Sequence, residues 1–124
     1  LLSYSTLDDI KYENVIKLQN VVRRVKEINN NINIDGQLQL DAAIIEDVAK
    51  IKAPNSSVAG KANVLIFPNL ESGNIAYKIA ERFGNMTALG PITQGMDKPV
   101  NDLSRGCSVD DIVGVIAITC IQSM

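Results

Sequence analysis

The sequence predicts an α/β fold with a mainly parallel sheet, and three observations carry that prediction. Short apolar runs alternate with longer amphipathic segments along the whole chain. The clearest run, Ala62-Asn63-Val64-Leu65-Ile66-Phe67, is mostly apolar and bounded by loops, as a strand covered on both faces would be. The amphipathic segments between the runs have helical periodicity and helical length, and strands separated by such helices pair in parallel.

Taken in order, Leu1 to Ser5 reads as the end of a short strand. From about Lys11 to Asn29, Val15, Leu18, Val22, Val25 and Ile28 recur at spacings of three and four, which marks one face of a helix. Asn29-Asn30-Asn31 ends it, since Asn tolerates left-handed angles and competes for backbone hydrogen bonds. Ile32-Asn33-Ile34 is a short strand before the turn signal Asp35-Gly36. A second helix is expected over 40–52, with Ala43, Ile44, Val48 and Ile51 inward and Pro54 as its stop. After a polar loop and the strand at 62–67, Glu71 to Phe83 forms a third helix. Its inner face carries Ile75, Ile79 and Ala80, and Gly84 terminates it. Met86 to Ile92 reads as another strand, followed by a loop through Gly106. The last helix, opened by Ser108, is apolar nearly all round and is expected to pack deeply against a sheet or a partner subunit.

At 124 residues the chain fits one compact domain. With 46% hydrophobic residues but only 4% aromatic, its core must come from Ile, Val, Leu and Ala. A net charge of -2 without clustered Lys or Arg gives no reason to expect nucleic acid. No apolar run approaches the ~20 residues of a membrane span, and nothing resembles a signal peptide. There is no histidine, which excludes a His base, a Ser-His-Asp triad and imidazole metal ligands. Two cysteines, Cys107 and Cys120, are too few for a disulfide framework or a Cys-rich zinc site, so no metal is expected and a reducing, cytoplasmic location is. The chain opens Leu1-Leu2-Ser3 and its first Met is Met86, so it is expected to be a piece of a longer protein.

In an α/β sheet, ligands gather in the loops beyond strand ends. Three loops qualify, over 52–61, 68–74 and 90–107, and the last is the most informative. Asn101-Asp102-Leu103-Ser104-Arg105-Gly106-Cys107-Ser108-Val109-Asp110-Asp111 gathers hydroxyls, a guanidinium and carboxylates at a helix entrance. Gly106 lets backbone approach a ligand, Arg105 offers a planar fork for an oxyanion, and the helix start adds unpaired amides. An anionic or acyl-phosphate ligand suits that set. Plainer roles stand beside it. Ser108 and Asp111 have capping-box spacing, and a capping carboxylate is a weakened base. Arg105 also suits an ion pair, Ser104 a turn, and Cys107 a structural place. Lys61 after Gly60 lacks the spacing of a phosphate-binding loop.

Several segments, in order, resemble the C-terminal part of the phosphate acetyltransferase (phosphotransacetylase) family. They are Asp35-Gly36-Gln37-Leu38-Gln39-Leu40-Asp41-Ala42-Ala43, Val58-Ala59-Gly60-Lys61-Ala62-Asn63-Val64-Leu65-Ile66-Phe67-Pro68, Gly73-Asn74-Ile75, Gly90-Pro91-Ile92 and Lys98-Pro99-Val100-Asn101-Asp102-Leu103-Ser104-Arg105-Gly106. The likeness runs over residues 1–124. It implies a two-domain, three-layer α/β/α fold of the isocitrate dehydrogenase type, with residues 100–124 as active-site loop and terminal helix packing on the other domain. It also implies a homodimer and reversible acetyl transfer between acetyl phosphate and coenzyme A, with coenzyme A as a substrate and no tightly bound cofactor.

Carried onto this chain, the resemblance implies Asp111 as acceptor of the thiol proton and Arg105 and Ser104 as stabilisers of the transition state. Ser104, Arg105, Asn101 and Gly106 are the expected substrate contacts. The alternatives are a phosphate butyryltransferase, a non-catalytic acetyl-CoA-sensing domain and a structural dimerisation module. Intact Ser104, Arg105 and Asp111 speak against a pure sensor. The family's N-terminal phosphate-binding arginines have no counterpart here, so full activity from this chain alone is not expected. Thr6-Leu7-Asp8-Asp9 stands where many members carry a more basic turn.

Overall fold

The computed structural model describes residues 1–7 and 11–124; the expectation for Asp8 and Asp9 therefore lies outside the described residues. Among the described residues five helices are formed: α1 Glu13–Ile28, α2 Leu40–Ile44, α3 Glu46–Lys52, α4 Leu70–Gly84 and α5 Val109–Gln122. Where length alone suggested one domain, the chain divides into two compact units, Leu1–Ile75 and Ala76–Met124, and the division falls within α4.

Among the described residues the expected sheet is not formed. Among the described residues there is no strand longer than a single parallel bridge, between Leu2 and Leu38. This overturns the three-layer α/β/α, mainly parallel, isocitrate dehydrogenase-like architecture. A sheet needs successive rungs, each residue's N–H and C=O paired along a ladder. Here the bonds are isolated and form no ladder: Leu38 N–H to Leu1 O (3.0 Å), Ser3 N–H to Leu38 O (2.8 Å), Leu7 N–H to Gln37 O (3.0 Å) and Leu2 N–H to Ile66 O (2.8 Å). Nor is the 62–67 run buried on both faces: Val64 and Ile66 are 69% and 50% exposed, while Ala62, Leu65 and Phe67 pack inward. An apolar run records a need for cover, and it does not by itself supply partners for the backbone.

The core of the first unit is small and aliphatic: Leu2, Leu38, Ala43, Ala49, Ala53 and Ala59. α1 begins at Glu13 and buries Val15, Leu18 and Val22 as its periodicity requires. Ile28, at the frayed end of the stripe, is exposed. Asn29 stops α1 in an extended conformation (φ -152°), not a left-handed one, and its side-chain oxygen accepts the Asn31 N–H. The buried amide of Gln37 accepts from Gln19 of α1 (3.0 Å) and donates to Ser5 Oγ (3.3 Å).

The single helix expected over 40–52 is broken at Ile45, which has extended angles (φ -108°, ψ 115°). The cause is tertiary. The Ala42 and Ala43 carbonyls would accept from residues one turn ahead; instead they accept from Gly60 N–H (2.9 Å) and Ala62 N–H (3.0 Å). The loop is seated so tightly that a Cβ on Gly60 would lie 2.8 Å from Glu46 Cα, and Gly60 has φ +77°. That close approach explains why alanines line the interface, whereas Ile44 and Ile51, expected inward, are exposed. Ser56 holds the same loop, donating to Asp35 and accepting from Ala59 N–H.

Asn69 caps α4, its side-chain oxygen accepting the Ser72 N–H at 2.8 Å. The helix runs through Gly84, and the left-handed position that ends it falls on Asn85 (φ 52°). No α4 residue is buried; Ile75 and Ile79 are exposed. In the second unit α5 buries only Val115, and Leu89 packs against Gly114. Within this unit α5 is not packed against a sheet: Val113, Ile116 and Ile121 are 60%, 57% and 70% exposed.

Candidate functional site

The segment from Asn101 to Asp111 forms a turn leading into a capped helix. Ser104 C=O accepts from Cys107 N–H (3.0 Å) and Ser104 Oγ accepts from Gly106 N–H (3.3 Å). The two bonds fold residues 104–107 back on themselves and leave the Ser104 hydroxyl proton free to donate outward. Ser104, Arg105 and Gly106 are all exposed. A Cβ on Gly106 would meet nothing within 4 Å, so the space above its backbone is open. Among the described residues Arg105 makes no ion pair.

The helix mouth is built by a capping box. Ser108 Oγ accepts the Asp111 N–H at 3.2 Å, and Asp111 Oδ2 accepts the Ser108 N–H at 2.7 Å. The second bond is short because its acceptor is charged. The hydrogen bond from the Ser108 backbone, followed by that from the Ser108 side chain, holds the Asp111 carboxyl below the usual carboxylate range. The Arg82 guanidinium pushes it the same way. Asp111 is therefore a firmly held carboxylate with its second oxygen unengaged by the cap. Arg82 was missed in the sequence; nothing in the pattern of α4 points to residue 111.

The side chain of Asn101 is engaged with other partners. Its Oδ1 accepts the Thr93 N–H at 2.8 Å. Its Nδ2 donates to Thr119 Oγ1 and Gln122 Oε1, each at 2.8 Å. Beside it, Asp102 N–H reaches Pro91 O at 3.3 Å. Thr119 and Gln122 are a second omission of the sequence reading, since only folding brings them to Asn101.

The other two candidate loops are held by local contacts. That of 52–61 docks against α2 and α3 through Gly60, and that of 68–74 caps α4 through Asn69. Cys107 is half-buried and Cys120 exposed, and both are free thiols.

The arrangement, an exposed guanidinium and hydroxyl one turn ahead of a capped carboxylate, suits an anionic group carrying a reactive acyl centre. Residues 1–120 match the family model described as phosphate acetyl/butaryl transferase. The chain belongs to that family. It is 55% identical over 123 residues to the phosphate acetyltransferase of Clostridium acetobutylicum, covering 99% of this chain and 37% of that protein. The phosphate acetyltransferase of Escherichia coli strain K12 is 53% identical over 123 residues, again 99% of this chain but 17% of the longer protein. The crystal structure of a phosphotransacetylase from Streptococcus pyogenes superposes with a TM-score of 0.90 at 49% identity, covering 98% of this chain and 37% of that one. The chain thus spans well under half the length of the curated relatives it matches, and this transferase family supplies the frame in which the site is read.

Proposed function

We propose that this chain is part of a phosphate acetyltransferase that moves an acetyl group reversibly between acetyl phosphate and coenzyme A. The observation that carries the reading is the exposed Arg105, without an ion pair among the described residues, directly ahead of the Ser108–Asp111 cap, on a chain that matches the transferase family over 1–120. In the reaction the coenzyme A sulfur bonds to the acetyl carbon, the carbon–oxygen bond to phosphate breaks, and phosphate leaves with the electron pair. Arg105 and Ser104 donate to the oxygens on which negative charge grows, where such donors are worth most. Gly106 leaves the acyl phosphate room against the backbone.

Asp111 accepts the thiol proton's hydrogen bond through the oxygen that the cap leaves unengaged. A thiol ionises near 8.5 in its unperturbed state, so full proton transfer to a carboxylate held below its ordinary pKa is unfavourable. Asp111 accordingly orients the thiol and draws its proton as the carbon–sulfur bond forms, instead of generating free thiolate beforehand. Holding both substrates at one helix mouth supplies the proximity contribution.

The same reading takes the longer protein to be a cytoplasmic homodimer, the apolar α5 contributing to buried packing there. The test is thioester formation from acetyl phosphate and coenzyme A by the full-length protein, with butyryl phosphate run in parallel. Faster acetyl than butyryl transfer supports the assignment; the reverse order makes it a butyryltransferase, and absence of transfer with both refutes it.

A further inference from the structure

The family resemblance places Asn101 among the substrate contacts, but its side chain is spent elsewhere. Both Nδ2 protons go to the last turns of α5, to Thr119 Oγ1 and Gln122 Oε1, and Oδ1 takes the Thr93 N–H. The polarity of this junction is fixed. Thr119 donates its own hydroxyl proton to Val115 O at 2.7 Å, so its oxygen presents a lone pair and the group facing it must be a donor. Val115 is the one buried residue of α5. A continuous series of bonds therefore runs from the buried turn of α5, through Thr119, to Asn101, and across to the Thr93 backbone. Asn101 is the third residue before Ser104, and the Asp102 N–H bond to Pro91 O fixes the backbone between them. Thr119 and Gln122, three apart, lie on one helix face and receive both protons of a single amide.

We infer that Asn101 is a positioning residue, which holds the Ser104–Gly106 turn at a set place relative to the start of α5 and hence to Asp111. The turn is otherwise exposed, with short-range bonds only, so its own contacts cannot fix where Arg105 stands. Asn101 acts through Ser104 and Arg105 without touching the acyl phosphate. The kinetic part of this inference rests on the acetyltransferase reading; the anchoring part does not.

The experiment compares Asn101→Ala, Thr119→Val and the double variant in the full-length protein, by steady-state kinetics and by amide hydrogen exchange over residues 102–107. Displacement of a catalytic turn by about an ångström costs up to roughly a hundredfold in rate. Asn101→Ala should therefore lower kcat by roughly tenfold to a hundredfold while KM for acetyl phosphate stays within about twofold. Thr119→Val, distant from the reacting atoms, should lower kcat in the same sense, and the double variant should be no worse than Asn101→Ala, because the two single changes break one shared bond. Exchange over 102–107 should quicken in all three. A raised KM with unchanged kcat in Asn101→Ala, beside a wild-type Thr119→Val, overturns the inference in favour of direct substrate contact. Unchanged exchange over 102–107 overturns the anchor itself. Quickened exchange in a protein that transfers no acetyl group upholds the anchor and refutes the proposed reaction instead.

Discussion

Asp111 serves the helix as a cap and, in the proposed reaction, serves the substrate as a proton acceptor; Ser108→Ala and Asp111→Asn pull those roles apart. Ser108→Ala removes the hydroxyl that accepts the Asp111 N–H at 3.2 Å, the long end of an N–H to O hydrogen bond, at an exposed position. Loss of a Ser cap costs about 0.5–2 kcal/mol, and this geometry places the cost in the lower half, about 0.5–1 kcal/mol. Asp111→Asn leaves an amide oxygen to accept the Ser108 N–H, so the cap survives with a weaker, uncharged acceptor. Its melting temperature should fall less than that of Ser108→Ala. Turnover should rank the other way: Asp111→Asn should lose roughly 10²–10⁴-fold, the usual range for a positioned proton acceptor, while Ser108→Ala stays near wild type. Thermal unfolding and thioester formation on the same full-length preparations give both orders. If Asp111→Asn melts lower than Ser108→Ala yet keeps its turnover, Asp111 is a cap and nothing more.

Three further outcomes follow from the same structure. Arg105→Ala should cut turnover by about 10² or more, and Arg105→Lys should recover little of it, since a point charge does not reproduce a planar fork; equal turnover for both variants and wild type would remove Arg105 from the reaction. Gly60→Ala should destabilise by about 2–5 kcal/mol in urea denaturation, combining roughly 1–2 kcal/mol for a left-handed non-glycine residue with about 1–3 for a Cβ pressed on Glu46. Among the described residues, acid titration should expose Asp111 and Asp41 as depressed carboxyls. The Asp41 shift comes first from the Lys52 side chain (2.8 Å) and then from the Ala42 N–H. A depressed pKa in the folded state means that stabilisation is complete above the unfolded value of about 3.9 and is lost as pH falls through the lower folded value. Lys52→Met should move the Asp41 titration, followed by NMR, back up; no movement would deny Lys52 its role.

What was legible in the sequence is what depends on near neighbours. The α1 stripe at Val15, Leu18 and Val22 and the Ser108–Asp111 cap both lie within one or two helical turns, and both are present. The break at Ile45 was not legible, because it is made by Gly60 and Ala62 taking two carbonyls from across the unit. The sheet was misread for a related reason: the 62–67 run has the hydrophobicity of a strand, but its backbone accepts from Leu2 and donates to Ala43 without forming a ladder. At the site, residue types and order pointed to Ser104, Arg105 and Asp111, which the structure sets on one exposed turn and helix mouth. The partners of Asn101 were hidden, since Thr119 and Gln122 reach it only once the 93–101 segment has folded against α5.

The central claim is that the guanidinium at the mouth of α5 serves acyl transfer to a thiol. Coenzyme A and acetyl phosphate, given to the full-length protein and to its Arg105→Ala variant side by side, test it directly by the rate of thioester formation. Rapid formation by the first, and a rate lower by about a hundredfold in the second, is the result the account requires. Thioester formed equally fast by both, or by neither, contradicts it.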